Sequence, residues 1–243
     1  MKIAYDMEVW ERLGAKLPIT APLKTHPSYL LTGSSGSGKS YALKYLMFNA
    51  SNEARLWVCD FKDSEDFTFL KGLNGYYEGD NAEQGILHFH DAFTKVRKKE
   101  IITQEIRILV IDEYPSLLLY LSSIDKEEKT KRADRIKRCV AEMLMLGRGL
   151  GFGVWIVTQR ADASLFDGGS RDNFMGIISL GRTSREQEQM LFAGEEIQKR
   201  IYKPGEGIVL LDGLPLMEIK FPMIKDVKKL EGKIIEGFKK SRG

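Results

Sequence analysis

With 243 residues, 43% of them hydrophobic and 29% charged, the chain can bury one sizeable α/β core, and its length does not demand a second. The formal net charge of +3 permits nucleic-acid binding without arguing for it, and no run of eighteen apolar residues exists, so neither a signal peptide nor a membrane span is expected. Cys59 and Cys139 are too few and too far apart for a zinc site and suit a reducing, cytoplasmic setting.

In chain order, residues 1–27 carry Pro18, Pro22 and Pro27 and read as an extended lead-in to the first core strand. The stretch 28–40 follows, Ser-Tyr-Leu-Leu-Thr-Gly-Ser-Ser-Gly-Ser-Gly-Lys-Ser, a short apolar strand that empties into a glycine-rich loop and then a helix. Gly33, Gly38, Lys39 and Ser40 fill every fixed position of G-x-x-x-x-G-K-[ST]. Glycines let backbone N–H groups turn onto phosphate oxygens, and the helix N-terminus adds its positive end. The residues expected on a nucleoside triphosphate are Gly33, Ser34, Ser35, Gly36, Ser37, Gly38, Lys39, Ser40 and Tyr41. Lys39 is expected at the β/γ-phosphates, and Ser40 is expected on Mg²⁺, which prefers one or two protein oxygens beside the phosphates.

A helix over 41–49 and a strand over 55–59 come next, the strand ending on Asp60-Phe61-Lys62. Helical periodicity over 82–99 closes in a basic run containing Lys95, Arg97, Lys98 and Lys99, which suits either a solvated helix end or a polyanion contact. The apolar run 106–111 reads as a buried parallel strand, and it ends in Asp112 and Glu113, at the edge where open α/β sheets bind ligands. Neighbouring strand residues point oppositely, so the two acids are expected to do different work. Asp112 would order Mg²⁺ through its water, and Glu113 would orient or deprotonate the water attacking the γ-phosphate.

The segment 125–138 is charged, with Glu127/Lys131, Glu128/Arg132 and Asp134/Arg138 at i,i+4, and reads as one exposed helix; Lys131, Arg132 and Arg135 on it are further polyanion candidates. Arg148 stands among the glycines 147, 149 and 151, on a turn before the strand 152–157. That strand ends in Thr158-Gln159, an amide able to sense a phosphate or its water. A strand over 176–180, a helix over 183–193, a hairpin of 205–211 with 216–220, and an amphipathic helix within 222–243 complete the chain.

The phosphate loop, Asp60-Phe61-Lys62, Val110-Ile111-Asp112-Glu113 and the run from Arg148 to Arg160, in this order, resemble the motor domain of the FtsK/HerA superfamily of P-loop ATPases over most of residues 25–213. Asn173 and Gly205-Glu206-Gly207 resemble later features of the same family. The resemblance implies an α/β fold, a RecA-like P-loop NTPase with a mainly parallel central sheet flanked by helices, a C-terminal β-hairpin and a helix. It also implies ATP and Mg²⁺ as ligands, a homo-oligomeric ring, most simply a hexamer, and double-stranded DNA in its pore. By position, Glu113 and Gln159 are the implied catalytic pair, and Arg148 resembles an arginine acting in trans on a neighbour's γ-phosphate. The whole of 1–243 is then expected to be a single motor domain without the long linker or winged-helix module of a chromosome-partitioning motor. Such a stripped motor is expected to serve a mobile element, in conjugative transfer or genome packaging, beside a membrane-associated, nuclease or relaxase partner and without entering the membrane itself. A protein-secretion motor and a nucleotide-switched scaffold are the competing readings.

Overall fold

The structure, a computed structural model, describes residues 1–162 and 172–240. Its strands are β1 (Lys2–Asp6), β2 (Pro18–Thr20), β3 (Tyr29–Gly33), β4 (Ala54–Asp60), β5 (Tyr76–Glu78), β6 (Ile106–Asp112), β7 (Phe152–Thr158), β8 (Gly176–Leu180), β9 (Glu206–Leu211) and β10 (Met217–Lys220). Its helices are α1 (Met7–Leu13), α2 (Lys39–Ala50), α3 (Asn81–Arg97), α4 (Tyr114–Glu128), α5 (Arg132–Leu146), α6 (Arg185–Leu191) and α7 (Val227–Lys240). One sheet runs in the order β2-β1-β10-β9-β8-β3-β7-β6-β4-β5. The six strands from β8 to β5 are parallel to one another, and β9, β10, β1 and β2 extend the sheet antiparallel. This is the mainly parallel, helix-flanked RecA-like sheet that the sequence leads one to expect.

The central strands are continuous apolar runs because both faces are covered. Leu31, Ile108, Val110 and Val157 point to the face packed by Leu43, Leu46 and Met47 of α2 and by Leu230, Ile234 and Phe238 of α7. Their strand neighbours Leu30, Leu109, Ile111 and Ile156 point to the other face, against Phe89 and Phe93 of α3, Leu117 and Leu121 of α4, and Val140 and Leu144 of α5. The alternation within each strand thus assigns successive residues to opposite cores. Contact between α7 and α2 is close: a Cβ on Gly237 would stand 2.5 Å from the Cβ of Ser51.

Two expectations are corrected here. Residues 1–27 are more than a lead-in, because β1 pairs with β10 (Tyr5 opposite Lys220) and β2 pairs with β1, placing the N-terminal segment inside the sheet. The segment 125–138 is not one helix. Lys129 takes the left-handed conformation (φ 54°), and Asp125 accepts from Arg132 N at 2.7 Å and Ala133 N at 2.9 Å, capping a new helix. Glu127/Lys131 and Glu128/Arg132 therefore straddle a break, and Arg132 pairs instead with Glu83 of α3. Cys59 and Cys139 are buried and free. Among the described residues no helix is long and apolar enough to cross a membrane.

Candidate nucleotide site

The phosphate loop leaves β3 at the carboxyl edge of the parallel strands, and close packing dictates two of its glycines, 33 and 38. A Cβ on Gly33 would lie 2.5 Å from Leu180 O, and one on Gly38, whose φ is +92°, would lie 2.9 Å from Gly205 N. Gly38 also opens α2: its carbonyl accepts from Ala42 N at 2.9 Å. The Lys39 ammonium folds back over the loop and donates to Gly33 O (2.5 Å) and Ser34 O (3.1 Å). Partial burial pulls its pKa down, while Glu113 and Asp112 push it back up.

Opposite the loop, β4 and β6 lie in register so that Asp60 faces Asp112 across neighbouring strands. Asp60 is fully buried; its Oδ2 accepts from Ser64 N (2.8 Å) and Tyr76 OH (3.2 Å), while Oδ1 has no partner. Burial, then the charges of Asp60 and Glu113, push the Asp112 carboxyl up to about 7. Glu113 leaves the strand with φ 54°, which breaks the alternation and brings both acids to one cavity. Lys62 Nζ lies 3.3 Å from Glu113 Oε2, and Gln159 Nε2, at the end of β7, donates to Oε1 at 3.3 Å.

These groups surround a cavity of about 410 Å³ whose walls include Ser35, Gly36, Gly38, Lys39, Ser40, Tyr41, Asp112, Glu113 and Gln159. Gly33, Ser34 and Ser37 shape the loop behind it. The strand order puts β7, with Gln159, between β3 and β6, so the amide sits between the phosphate loop and the acids. The residues fit Mg²⁺: Ser40 and Asp112 share the cavity, and among the described residues no cluster of three or more His, Cys, Asp or Glu offers a self-sufficient metal cage. One hydroxyl, one nearby carboxylate and room for phosphates and water is the donor set this ion takes.

Lys62, Ser64 and Asp66 also line the cavity, beyond the residues expected there from the sequence. Lys62 had a signal in Asp60-Phe61-Lys62; Ser64 and Asp66 had none. Arg148 is not at the cavity. It lies in a 3-10 turn (Arg148–Leu150) at the amino end of β7, half-exposed, 3.9 Å from Asp212. The seven-residue β7, roughly 20 Å long, separates it from Gln159.

The basic candidates lie at opposite ends of the molecule. α3 and α5 run side by side in the same direction, since Arg132 meets Glu83 and Glu142 meets His90. Lys95, Arg97, Lys98 and Lys99 end α3 at the amino edge of the sheet, whereas Lys131, Arg132 and Arg135 begin α5 at the carboxyl edge. Lys95 pairs with Asp91 at 2.7 Å and Arg97 with Glu142, while Lys98, Lys99, Lys131 and Arg135 are exposed.

No family model and no curated protein sequence matches the chain. Solved structures do. The pCW3 conjugation coupling protein TcpA, as a monomer with ATPγS, superposes with a TM-score of 0.74 at 20% identity, over 97% of this chain and 73% of that one. The cytoplasmic domain of the Thermomonospora curvata type VII secretion ATPase EccC gives 0.68 at 18% identity, over 98% of this chain, which spans only 30% of that cytoplasmic-domain chain. The genome packaging NTPase B204 from Sulfolobus turreted icosahedral virus 2, in complex with ATPγS, gives 0.52 at 16%, over 81% of this chain and 98% of that one. The chain shares the fold of these proteins.

Proposed function

We propose that the chain hydrolyses ATP and uses the energy to move double-stranded DNA, as one subunit of a ring, most simply a hexamer. The observation that carries the hydrolytic reading is the convergence of Lys39, Ser40, Asp112, Glu113 and Gln159 on one cavity at the carboxyl edge of the sheet. In this reading the β/γ-phosphates replace Gly33 O and Ser34 O as partners of the Lys39 ammonium. Gln159 orients the attacking water, Glu113 accepts its proton as the oxygen bonds to the γ-phosphorus, and ADP leaves. Ser40 and Asp112, the latter through water, would hold Mg²⁺, which when bound neutralises charge on the phosphate oxygens. Arg148 is too far away to serve its own cavity and is assigned to a neighbour's, where a guanidinium stabilises transferring phosphate.

Support for DNA as the polymer comes from the conjugation and packaging proteins that share the fold. The EccC likeness favours a second reading, transport of protein. Hydrolysis measured with and without duplex DNA at increasing salt separates the two. A DNA motor shows stimulation that falls steeply with salt, with log affinity declining at a slope of about −0.9 per phosphate contacted. Absence of DNA binding in low salt with an ATP analogue present removes the DNA reading. Reversing Lys98 and Lys99 separately from Lys131 and Arg135 shows which edge meets the duplex, because only the contacting pair should lower that slope.

A further inference from the structure

Lys62 reaches Glu113 from a short turn, and one buried side chain closes that turn. Asp60, the last residue of β4, accepts through Oδ2 from Ser64 N at 2.8 Å, Ser64 Oγ at 3.3 Å and Tyr76 OH at 3.2 Å. Its carbonyl accepts from Asp63 N at 3.3 Å and from Gly79 N at 2.9 Å, the second bond tying the turn to the end of β5. Phe61, Lys62 and Asp63 are the residues enclosed by these bonds.

The enclosed backbone is strained. Asp63 takes the left-handed conformation, with φ 49°. Of the four non-glycine residues with positive φ among the described residues, Asp63 and Glu113 meet here through Lys62, which adjoins the first and lies 3.3 Å from the second. Such conformations persist only where the surroundings hold them. From outside, Lys71 bridges Asp63 at 2.8 Å and Glu78 at 3.0 Å, and the Phe61 ring lies 5.3 Å from that of Tyr120 in α4. From inside, the anchor is the Asp60 carboxylate, a charged acceptor that bonds more strongly than a neutral one.

Stability alone does not account for an acid at this position. Asp60 lies opposite Asp112 on neighbouring strands, and its Oδ1 has no partner. A buried carboxylate beside a second acid destabilises a fold unless its other bonds offset the cost. Those bonds hold the turn that carries Lys62.

We propose that Asp60 is a positioning residue of the nucleotide site: by closing the turn 60–64 it sets the Lys62 ammonium against Glu113 and so holds that acid in its left-handed conformation. Asp60 does not line the cavity, whereas Lys62 and Glu113 both do, so its effect passes through Lys62. The inference rests on the hydrolytic reading of the cavity, in which Glu113 accepts the proton of the attacking water.

Two measurements on the full chain test this. In steady-state ATP hydrolysis, Asp60→Ala should lower kcat by about 3- to 10-fold with KM within about twofold, and Asp60→Asn, which keeps an acceptor for Ser64 N, should recover most of the loss. Asp60→Ala combined with Lys62→Met should be no slower than Lys62→Met alone, within about twofold, because both changes undo one contact. Should Asp60→Ala fail to fold, Ser64→Ala combined with Tyr76→Phe removes two donors from Oδ2 at partly exposed positions and should lower kcat by about threefold. In amide hydrogen exchange without nucleotide, Asp60→Ala, or that paired variant in its place, should speed exchange at Ser64 and at Ser116 and Leu117, whose N–H groups bond Glu113 O. Lys62→Met should speed exchange at 116 and 117 and leave Ser64 as it was. Wild-type kcat in the Asp60 variant, losses that multiply with Lys62→Met, or unmoved exchange at 116 and 117 each overturns the proposal. So does an Asp60→Asn as slow as Asp60→Ala, which would show that the charge acts on the reacting groups directly. Hydrolysis that ignores Glu113→Gln overturns the hydrolytic reading instead, and the exchange arm still decides whether Asp60 holds Glu113 through Lys62.

Discussion

Lys62 Nζ and Glu113 Oε2 lie 3.3 Å apart, with Lys62 reaching across from the turn after β4 to the acid that begins α4. Glu113 is held on its other oxygen by Gln159 and sits in a left-handed conformation that an acid adopts only at some cost. The ammonium therefore helps to hold a strained residue in place beside the phosphates. Replacing Lys62 by Met should lower kcat by about tenfold with KM within about twofold, since the contact positions the reacting group more than it binds substrate. Lys62→Arg should recover most of the loss, and steady-state kinetics of the three proteins checks both statements.

Binding and chemistry should separate between the two sides of the cavity. Lys39→Ala removes the charge expected on the β/γ-phosphates and should weaken nucleotide binding together with hydrolysis. Glu113→Gln should still bind ATP and turn over more slowly by about 10²–10⁴-fold, the range of a lost general base. Unchanged hydrolysis in Glu113→Gln takes that residue out of the mechanism.

The length of β7 between Gln159 and Arg148 makes a mixing experiment informative. Arg148→Ala should bind ATP as wild type does and lose activity on assembly, and mixing it with Lys39→Ala protein should restore part of the hydrolysis. In mixed assemblies one copy contributes an intact phosphate loop and the other an intact arginine. No rescue at any ratio, with mixed assembly verified by mass, would show that Arg148 is only a turn residue held near Asp212.

Asp112 gives a stability prediction with a definite sign. Its folded pKa is raised to about 7, so between about pH 4 and pH 7 the folded nucleotide-free protein keeps a proton that the unfolded chain has released. Stability from this group is complete at the acid end of that window and is lost as pH rises through 7. Because Asp112 is only partly buried and two lysines face it, the loss between pH 5 and 8 should be about 2 kcal/mol, less than the full shift would give. Asp112→Asn should remove it, raising Tm at pH 8 relative to wild type by about 4–8 °C in thermal melts without nucleotide.

The elements that place the phosphate cavity were legible because their signals are local. The β3–loop–α2 unit has fixed spacing, β6 is an apolar run with acids at its end, and β7 ends in Gln159. What was not legible depends on partners distant in sequence or on single backbone angles. Nothing in residues 1–20 shows that β1 will pair with a strand some two hundred positions later. The break between α4 and α5 turns on Asp125 capping forward onto Arg132 and Ala133, a contact that i,i+4 pairing conceals. The positive φ of Glu113, which goes with its contacts to Lys62 and Gln159, has no signal in the alternation of β6. The two basic runs look equivalent in sequence, and only the shared direction of α3 and α5 places them at opposite edges.

The packing of α7 on α2 ties the chain's last helix to the phosphate loop energetically. α7 lines no part of the cavity, yet Leu230, Ile234 and Phe238 close the core under α2, and Lys44 of α2 bonds Glu231 at 3.2 Å. A ligand that holds the first turn of α2 stabilises every opening that requires α2 to move, by mass action on the closed form. Amide hydrogens along 227–239 should accordingly exchange with solvent more slowly when nucleotide is bound, reporting occupancy of a cavity that the tail never reaches. Unchanged exchange there at saturating nucleotide would mean that the tail opens independently of α2.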